Sequence, residues 1–433
     1  MLDVPLLSGP VPVVIAASGA ACGLWLICLR RQRSWPRTLA VCLVAAAALT
    51  IALSLVVEKV WQPFPDRLGV GVLVWVGIAA AGMTLAAARM VYGRSLRERL
   101  LITVAALIVI AASANQVNVS FEAYPTVRDA LQIDAADEIT LAAVPPPQTD
   151  PFSDVHPLVG RWEKPADVPA RGKIVTAPVP GFASGFDARS AEIYLPPAYF
   201  SNPRPRLPVL VLIAGQPGSP QDWLSGGRLA QTMDRYAIRH NGLSPVVAVA
   251  DGTGSTFANP LCMDSRRGRA ATYLAVDVPN WIKANLQIDD EPRAWAVGGY
   301  SYGGTCSMQL ATNFPQVYPT FVDLSGDAEP TLGDRRRTIE ELFGGDAAAF
   351  DRVNPLTLMR ARRYPATGGA LVAGTDDADS RAAAATVATA ARAAGMSIEY
   401  LELPGGHTFK VWANGLEKEL EWITTRLGLD DSD

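Results

Sequence analysis

The chain has 433 residues, with 38 basic against 42 acidic side chains, a net charge of −4 and 49% hydrophobic residues. That length exceeds one ordinary domain, and the nearly balanced, slightly acidic charge excludes the electrostatic footprint of a nucleic-acid binder. Only six of the basic residues are lysines, a skew that fits a GC-rich genome better than any function.

The apolar residues gather at the N-terminus. The runs Val11 to Leu29, Thr38 to Val57 and Leu68 to Ala87 contain no charged residue. Each is about 20 residues long, enough at ~1.5 Å per residue to cross a hydrocarbon core of ~30 Å. A fourth run, Leu100 to Ala114, is shorter at 15 residues. Basic residues follow the first run instead of preceding it, and further spans come after, so a cleaved signal peptide is not expected. Residues 1–114 therefore read as a membrane domain with four transmembrane helices. Arg30, Arg31, Arg33 and Arg37 lie between the first two runs, and Arg89, Arg94, Arg97 and Arg99 between the last two. The N-terminal tail has no Lys or Arg, and the loop between runs two and three has only Lys59 and Arg67. Positive charge stays cytoplasmic, which puts the N-terminus outside the cytoplasmic membrane. Four spans return the chain to the outside; without the fourth, the C-terminal part would be cytoplasmic.

Residues 115–171 are irregular and include the proline-rich break AVPPPQTDPF, the pattern of a stalk or linker. Residues 172–433 change character. The stretches AEIYLPP, PVLVLIAG, SPVVAVADG, RAWAVGG, TFVDLSG, GALVAGT and SIEYLEL read as strands, most of them continuous apolar runs. Strands of that kind, buried on both faces, imply a mostly parallel sheet covered by helices. Helical patterns alternate with them around Leu229 to Ile238, Ala270 to Leu286, Tyr302 to Thr312, Ser380 to Ala394 and Leu416 to Leu427. The expected fold class is α/β, one domain with one sizeable core.

Cys22, Cys28 and Cys42 fall in the apolar runs, and only Cys262 and Cys306 lie in the C-terminal part. An extracytoplasmic pair is a candidate disulfide, with two free buried thiols as the alternative. No metal-ligand cluster is legible, and no cofactor is implied.

Ser301 sits in GGYSYGG, in the turn between the strand RAWAVGG and the helix YGGTCSMQLATNF. The stretch fits the G-x-S-x-G nucleophile elbow, where side chains at Gly299 and Gly303 would clash and the serine hydroxyl projects above the strand ends. A serine needs a base. Of the three histidines, His156 lies in the linker and His240 follows a helix, both read as surface residues. His407, in PGGHTF after the last strand, comes in the order that an α/β-hydrolase demands. The acid that orients the base should follow GALVAGT, where Asp376, Asp377 and Asp379 are all available, any of which could instead cap a helix. An oxyanion hole needs two backbone donors. The N–H of Tyr302, after the nucleophile, is one, and Gln216, in the loop after PVLVLIAG, is the candidate for the other.

Together YLPPAYF, LPVLVLIAGQPG, GGYSYGG, FGGDAAAFDRVNPL, LVAGTDD and PGGHTFKVW resemble the "putative esterase" family. That is the α/β-hydrolase branch containing esterase D, feruloyl esterases and the antigen 85 mycolyltransferases. The resemblance covers roughly Gly172 to Leu427 and implies Ser301 as nucleophile, His407 as base, and the backbones of Gln216 and Tyr302 as oxyanion hole. The family's G-T-x-D pattern matches Gly374 to Asp377, which implies Asp377 as the acid; Asp379 is then expected to cap the helix beginning at Ser380. The chain departs from many members in having Ala214-Gly215 after the third strand, and from the antigen 85 enzymes in offering Asp in place of Glu. A four-span anchor joined to such a domain looks like membrane esterases of actinobacteria. The expectation is a membrane-anchored extracytoplasmic serine esterase acting on ester or acyl-lipid substrates. Acyl transfer to cell-envelope glycolipids is the near alternative, and a non-catalytic envelope protein with a hydrolase fold the distant one.

Overall fold

The computed structural model describes residues 2–28, 34–63, 68–92, 95–131, 133, 138–148, 157–160, 162–166 and 168–430. His156 and five of the arginines that set the expected orientation (Arg30, Arg31, Arg33, Arg67 and Arg94) lie outside the described residues. The chain divides into two compact units, Met1–Ile133 and Asp134–Asp433.

The first unit holds, among the described residues, four helices long and apolar enough to cross a membrane: α1 (Pro10–Ile27), α2 (Trp35–Leu55), α3 (Val70–Tyr92) and α4 (Leu96–Phe121). Without a hydrophobic drive between helices in lipid, small residues must let backbones approach. Gly19 of α1 faces α4 so closely that an added Cβ would come within 2.4 Å of Ala112 Cβ, and one on Gly82 of α3 within 2.9 Å of Val109. Val13, Val44, Val74 and Leu107 are exposed on these helices. The fourth helix is longer than the apolar run Leu100 to Ala114, and residues 115–121 of the expected linker are helical. The polar residues that follow the run find partners. Asn115 Nδ2 donates to Leu6 O at 3.4 Å, and Asn118 exchanges two bonds with the Tyr124 backbone at 2.9 and 2.7 Å.

The second unit is built on a sheet of eight described strands: β1 (Lys173–Ala177), β2 (Ala191–Leu195), β3 (Val209–Ile213), β4 (Val246–Ala250), β5 (Trp295–Tyr300), β6 (Thr320–Leu324), β7 (Gly368–Gly374) and β8 (Ser397–Leu403). Their order is β1-β2-β4-β3-β5-β6-β7-β8, and all pairs are parallel except β1–β2 and β2–β4. The continuous apolar strands do lie in the middle, buried on both faces. β1 is not expected from the sequence; KIVTA is a short edge strand with neither a continuous apolar run nor a clean alternation.

The covering helices are α5 (Leu229–Arg239), α6 (Val278–Asn285), α7 (Tyr302–Asn313), α8 (Arg335–Phe343), α9 (Ala347–Asp351), α10 (Pro355–Ala361), α11 (Ala378–Ala393) and α12 (Phe409–Arg426). The stretch Ala270 to Leu286 is not one helix, since a wider turn at Tyr273–Asp277 precedes α6. The short helices α8, α9 and α10 are N-capped by the side chains of Asp334, Asp346 and Asn354, and are too short for a period to announce them. The segment expected as a linker also contributes to this unit. Leu158 and Trp162 are buried in its core, Ile139 N donates to Ile174 O at 2.8 Å, and the buried Arg204 guanidinium holds the carbonyls of Pro145 and Pro146. Isolated apolar residues without a period gave no sign of that docking.

Candidate active site

β5 ends at Tyr300 and α7 begins at Tyr302, so Ser301 makes the whole turn. Its backbone sits at φ 54°, ψ −119°, a conformation that costs a non-glycine residue about 1–3 kcal/mol. Ser301 N donates to Leu324 O at 2.8 Å, and Ser301 O accepts from the N–H groups of Gly304 and Thr305 at 3.0 and 3.1 Å. The flanking glycines are required sterically. A Cβ on Gly303 would lie 2.1 Å from Ile213 O, and one on Gly299 would lie 2.4 Å from the Gly303 carbonyl carbon. Both obstacles are backbone.

His407 and Asp377 arrive from the loops after β8 and β7. These loops are tied by backbone bonds: Thr375 N to Leu403 O and Asp376 N to Gly405 O, each 2.8 Å. His407 Nε2 lies 2.9 Å from Ser301 Oγ, and His407 Nδ1 lies 2.7 Å from Asp377 Oδ2. An aromatic group supports the imidazole. Trp412 of α12 meets the His407 ring edge-on at 5.0 Å and stacks on Tyr300 at 4.4 Å, with Phe409 packed against both Tyr300 and Trp412. This accounts for the HTFKVW run.

Burial pushes the Asp377 carboxyl up, but the hydrogen bond and charge of His407, with bonds from Ser380, outweigh it and hold the group below the usual carboxylate range. Asp377 is therefore ionised at neutral pH and accepts from Nδ1–H, leaving the Nε2 lone pair to face the serine hydroxyl. Its second oxygen, Oδ1, accepts from Ser380 N at 3.2 Å. Asp377 thus also N-caps α11, which starts at Ala378. The helix was expected to begin at Ser380 under an Asp379 cap; it begins two residues earlier, because the Asp377 carboxylate can serve its N–H groups while holding His407. Asp376 and Asp379 are exposed.

Gly215 lies beside Ser301: a Cβ there would stand 3.5 Å from Ser301 Cβ and 2.5 Å from the Tyr300 ring. The Gly215–Gln216 peptide therefore borders the nucleophile. Tyr302 is the first residue of α7, and the N–H groups of a helix's first turn have no intrahelical acceptor. Gln216 Nε2 donates to Phe257 O at 3.1 Å and Gly218 N to Thr256 O at 3.3 Å, fastening this loop to the one after β4.

The loop after β4 is gripped from the other side by α7. Tyr302 Oη accepts from Cys262 N at 3.0 Å and donates to Gly252 O at 2.9 Å, Gln309 Nε2 donates to Leu261 O at 2.9 Å, and Cys262 is disulfide-bonded to Cys306 with Cα atoms 5.5 Å apart. Tyr302, Cys306 and Gln309 follow helical spacing along one face. They hold Leu261 and Cys262, two consecutive non-glycine residues at φ 57° and 49°. No local pattern in the sequence announces this grip.

One further buried carboxyl lies under the elbow. Asp323, at the end of β6, is pushed up to about 7 by burial, opposed by the Gly326 N–H it accepts from at 2.7 Å and reinforced by Asp327.

The sequence profile of the family described as "Putative esterase" matches residues 187–423, more than half of the chain. The chain belongs to this esterase family. An uncharacterized protein of Corynebacterium glutamicum is 36% identical over 98% of this chain and 97% of its own length, so the resemblance includes the N-terminal helical unit. The diacylglycerol acyltransferase/mycolyltransferase Ag85C of Mycobacterium leprae is 31% identical over 22% of this chain and 29% of that protein. Among solved structures, a ferulic acid esterase is 15% identical, with a TM-score of 0.49, over 60% of this chain and 99% of that one. An S-formylglutathione hydrolase from Agrobacterium tumefaciens is 16% identical, with a TM-score of 0.49, over 59% and 95%. The esterase family member described here is thus a hydrolase of the esterase/acyltransferase type, with an α/β-hydrolase fold preceded by four apolar helices of membrane-spanning length.

Proposed function

We propose that the chain is a membrane-anchored serine esterase whose active site faces away from the cytoplasm. The observation that carries the reading is the continuous line Ser301 Oγ, His407 Nε2 at 2.9 Å, His407 Nδ1, Asp377 Oδ2 at 2.7 Å, with Ser301 held in a strained turn at the start of a helix. In this arrangement Ser301 Oγ attacks the ester carbonyl and His407 Nε2 takes its proton. The N–H groups of Tyr302 and Gln216 receive the oxyanion. The leaving alcohol takes the proton from His407, which leaves an acyl-Ser301. Water attacks next, giving its proton to His407, which returns it to Ser301 Oγ as the acyl–oxygen bond breaks and the carboxylic acid departs. Asp377 stays ionised and balances the imidazolium.

A fluorophosphonate probe should label the wild type at Ser301 and leave Ser301→Ala unlabelled; equal labelling of both would remove the nucleophile from the proposal. The outward orientation is supported by the arginine distribution and by the Cys262–Cys306 disulfide, which belongs in an oxidising compartment. Protease added to intact spheroplasts should then digest the chain beyond Asn115, and protection until lysis would reverse the topology.

A second reading replaces the water with a hydroxyl of an envelope glycolipid. It is favoured by the local match to the Mycobacterium leprae protein, which is named an acyltransferase, and by the apolar helices of membrane-spanning length in the same chain. Both outcomes share the acyl-enzyme. Products formed from one acyl ester, with and without an alcohol acceptor, separate them.

A further inference from the structure

His240 follows α5, at a position where the sequence implies a surface residue. Its side chain is only 13% exposed and stacks on the Tyr236 ring at 3.9 Å. Its Nδ1 lies 2.9 Å from Tyr236 O. A carbonyl can only accept, so Nδ1 carries a hydrogen and Nε2 is turned the other way. There Nε2 meets two carboxylate oxygens, Asp430 Oδ2 at 3.2 Å and Glu421 Oε2 at 3.4 Å, and the three atoms all lie within 4.8 Å of one another. None of these residues belongs to the Ser301–His407–Asp377 set.

Two carboxylate oxygens and an imidazole nitrogen gathered this closely make a donor set for a cation. An N–H on Nε2 shared between the two oxygens is the competing arrangement. A tetrahedral ion with bonds of about 2.0–2.1 Å instead holds its ligand atoms ~3.4 Å apart. That is the spacing seen from Nε2 to both oxygens. The ligands are also oriented from behind, as metal ligands usually are. The Tyr236 carbonyl fixes the imidazole, and Arg239 donates to the other Glu421 oxygen at 3.4 Å.

We propose that His240, Glu421 and Asp430 form a binding site for a divalent transition-metal ion, with zinc the best match to one nitrogen and two oxygen donors. The half-exposed Glu421 side leaves room for water as the fourth ligand. The ion ties together the end of α5, the last turns of α12 and the segment after it. α12 also carries Trp412, which braces His407 and lies about 14 Å from Glu421 along the helix axis, so the ion steadies the helix that supports the base.

The test uses the full-length protein in detergent, stripped with a chelator and dialysed. Zinc chloride is titrated in by calorimetry, and bound metal is measured after gel filtration. The expected result is one zinc per chain, a higher Tm with zinc, and at least a tenfold loss of affinity in both His240→Gln and Asp430→Asn. Far-UV circular dichroism of each variant checks that it is folded, and two variants on different segments guard against one misfolding. Wild-type affinity retained in folded His240→Gln overturns the proposal. So does a stripped wild type that takes up no stoichiometric zinc and whose Tm does not rise with zinc.

Discussion

Asp377 is placed to do two jobs, and one substitution separates them. One carboxylate oxygen holds His407 Nδ1 at 2.7 Å and the other accepts from Ser380 N at 3.2 Å, with the side chain only 10% exposed. Asparagine keeps an oxygen for the helix N-terminus, where Asn and Asp cap about equally well. It lacks the charge that balances the imidazolium, and its amide can turn a donor toward Nδ1 and favour the wrong tautomer. In a serine protease that change lowers kcat about 10⁴-fold, a barrier increase of ~5.4 kcal/mol. Ser380 Oγ lies 3.4 Å from the same Nδ1 and could hold the ring in part, so the expected loss for Asp377→Asn is ~10²- to 10⁴-fold with Tm nearly unchanged. Asp377→Ala should be as inactive and also less stable by about 1 kcal/mol, because the cap is lost. The exposed Asp376 and Asp379 should tolerate Asn within about tenfold, or ~1.4 kcal/mol. Turnover of one activated ester and thermal unfolding, measured on all four variants, decide. Asp377→Asn within tenfold of wild type, or Asp376→Asn equally crippled, would refute the reasoning.

Three other outcomes are expected. Gly303→Ala forces a Cβ to 2.1 Å from Ile213 O and should abolish fluorophosphonate labelling, whereas Gly406→Ala, with nothing within 4 Å although it adjoins His407, should stay within about twofold of wild type; comparable labelling of both would mean that the elbow can relax. The Cys262–Cys306 bond closes a separation of 44 residues, worth about 4 kcal/mol in the chain-entropy account, so replacing both cysteines by serine should lower Tm and slow labelling of Ser301 through the loosened Tyr302 contact; unchanged labelling would leave the bond a stability role alone. Asp323 binds a proton in the folded state up to about pH 7 that the unfolded chain releases near pH 4, so wild-type stability should fall relative to Asp323→Asn as pH rises between these values, by at most ~4 kcal/mol, and stay level above. A difference in Tm that does not vary from pH 4 to 8 would contradict this.

The sequence by itself determined the parts whose physics is local. An uncharged run of about 20 residues announces a span, a continuous apolar strand announces the middle of a parallel sheet, and glycines two residues either side of Ser301 announce the elbow. Chain order alone then selected His407. Tertiary structure decided what depends on direction and on distance through space. Three aspartates share one loop, and only the turn into α11 aims Asp377 at both His407 and Ser380 N while Asp376 and Asp379 face solvent. The grip of Tyr302, Cys306 and Gln309 on a left-handed loop, the docking of Leu158 and Trp162, and the meeting of His240 with Glu421 and Asp430 join residues far apart in the chain. Such contacts have no period and no motif, because packing and long-range backbone paths bring them together, and only the folded chain has those.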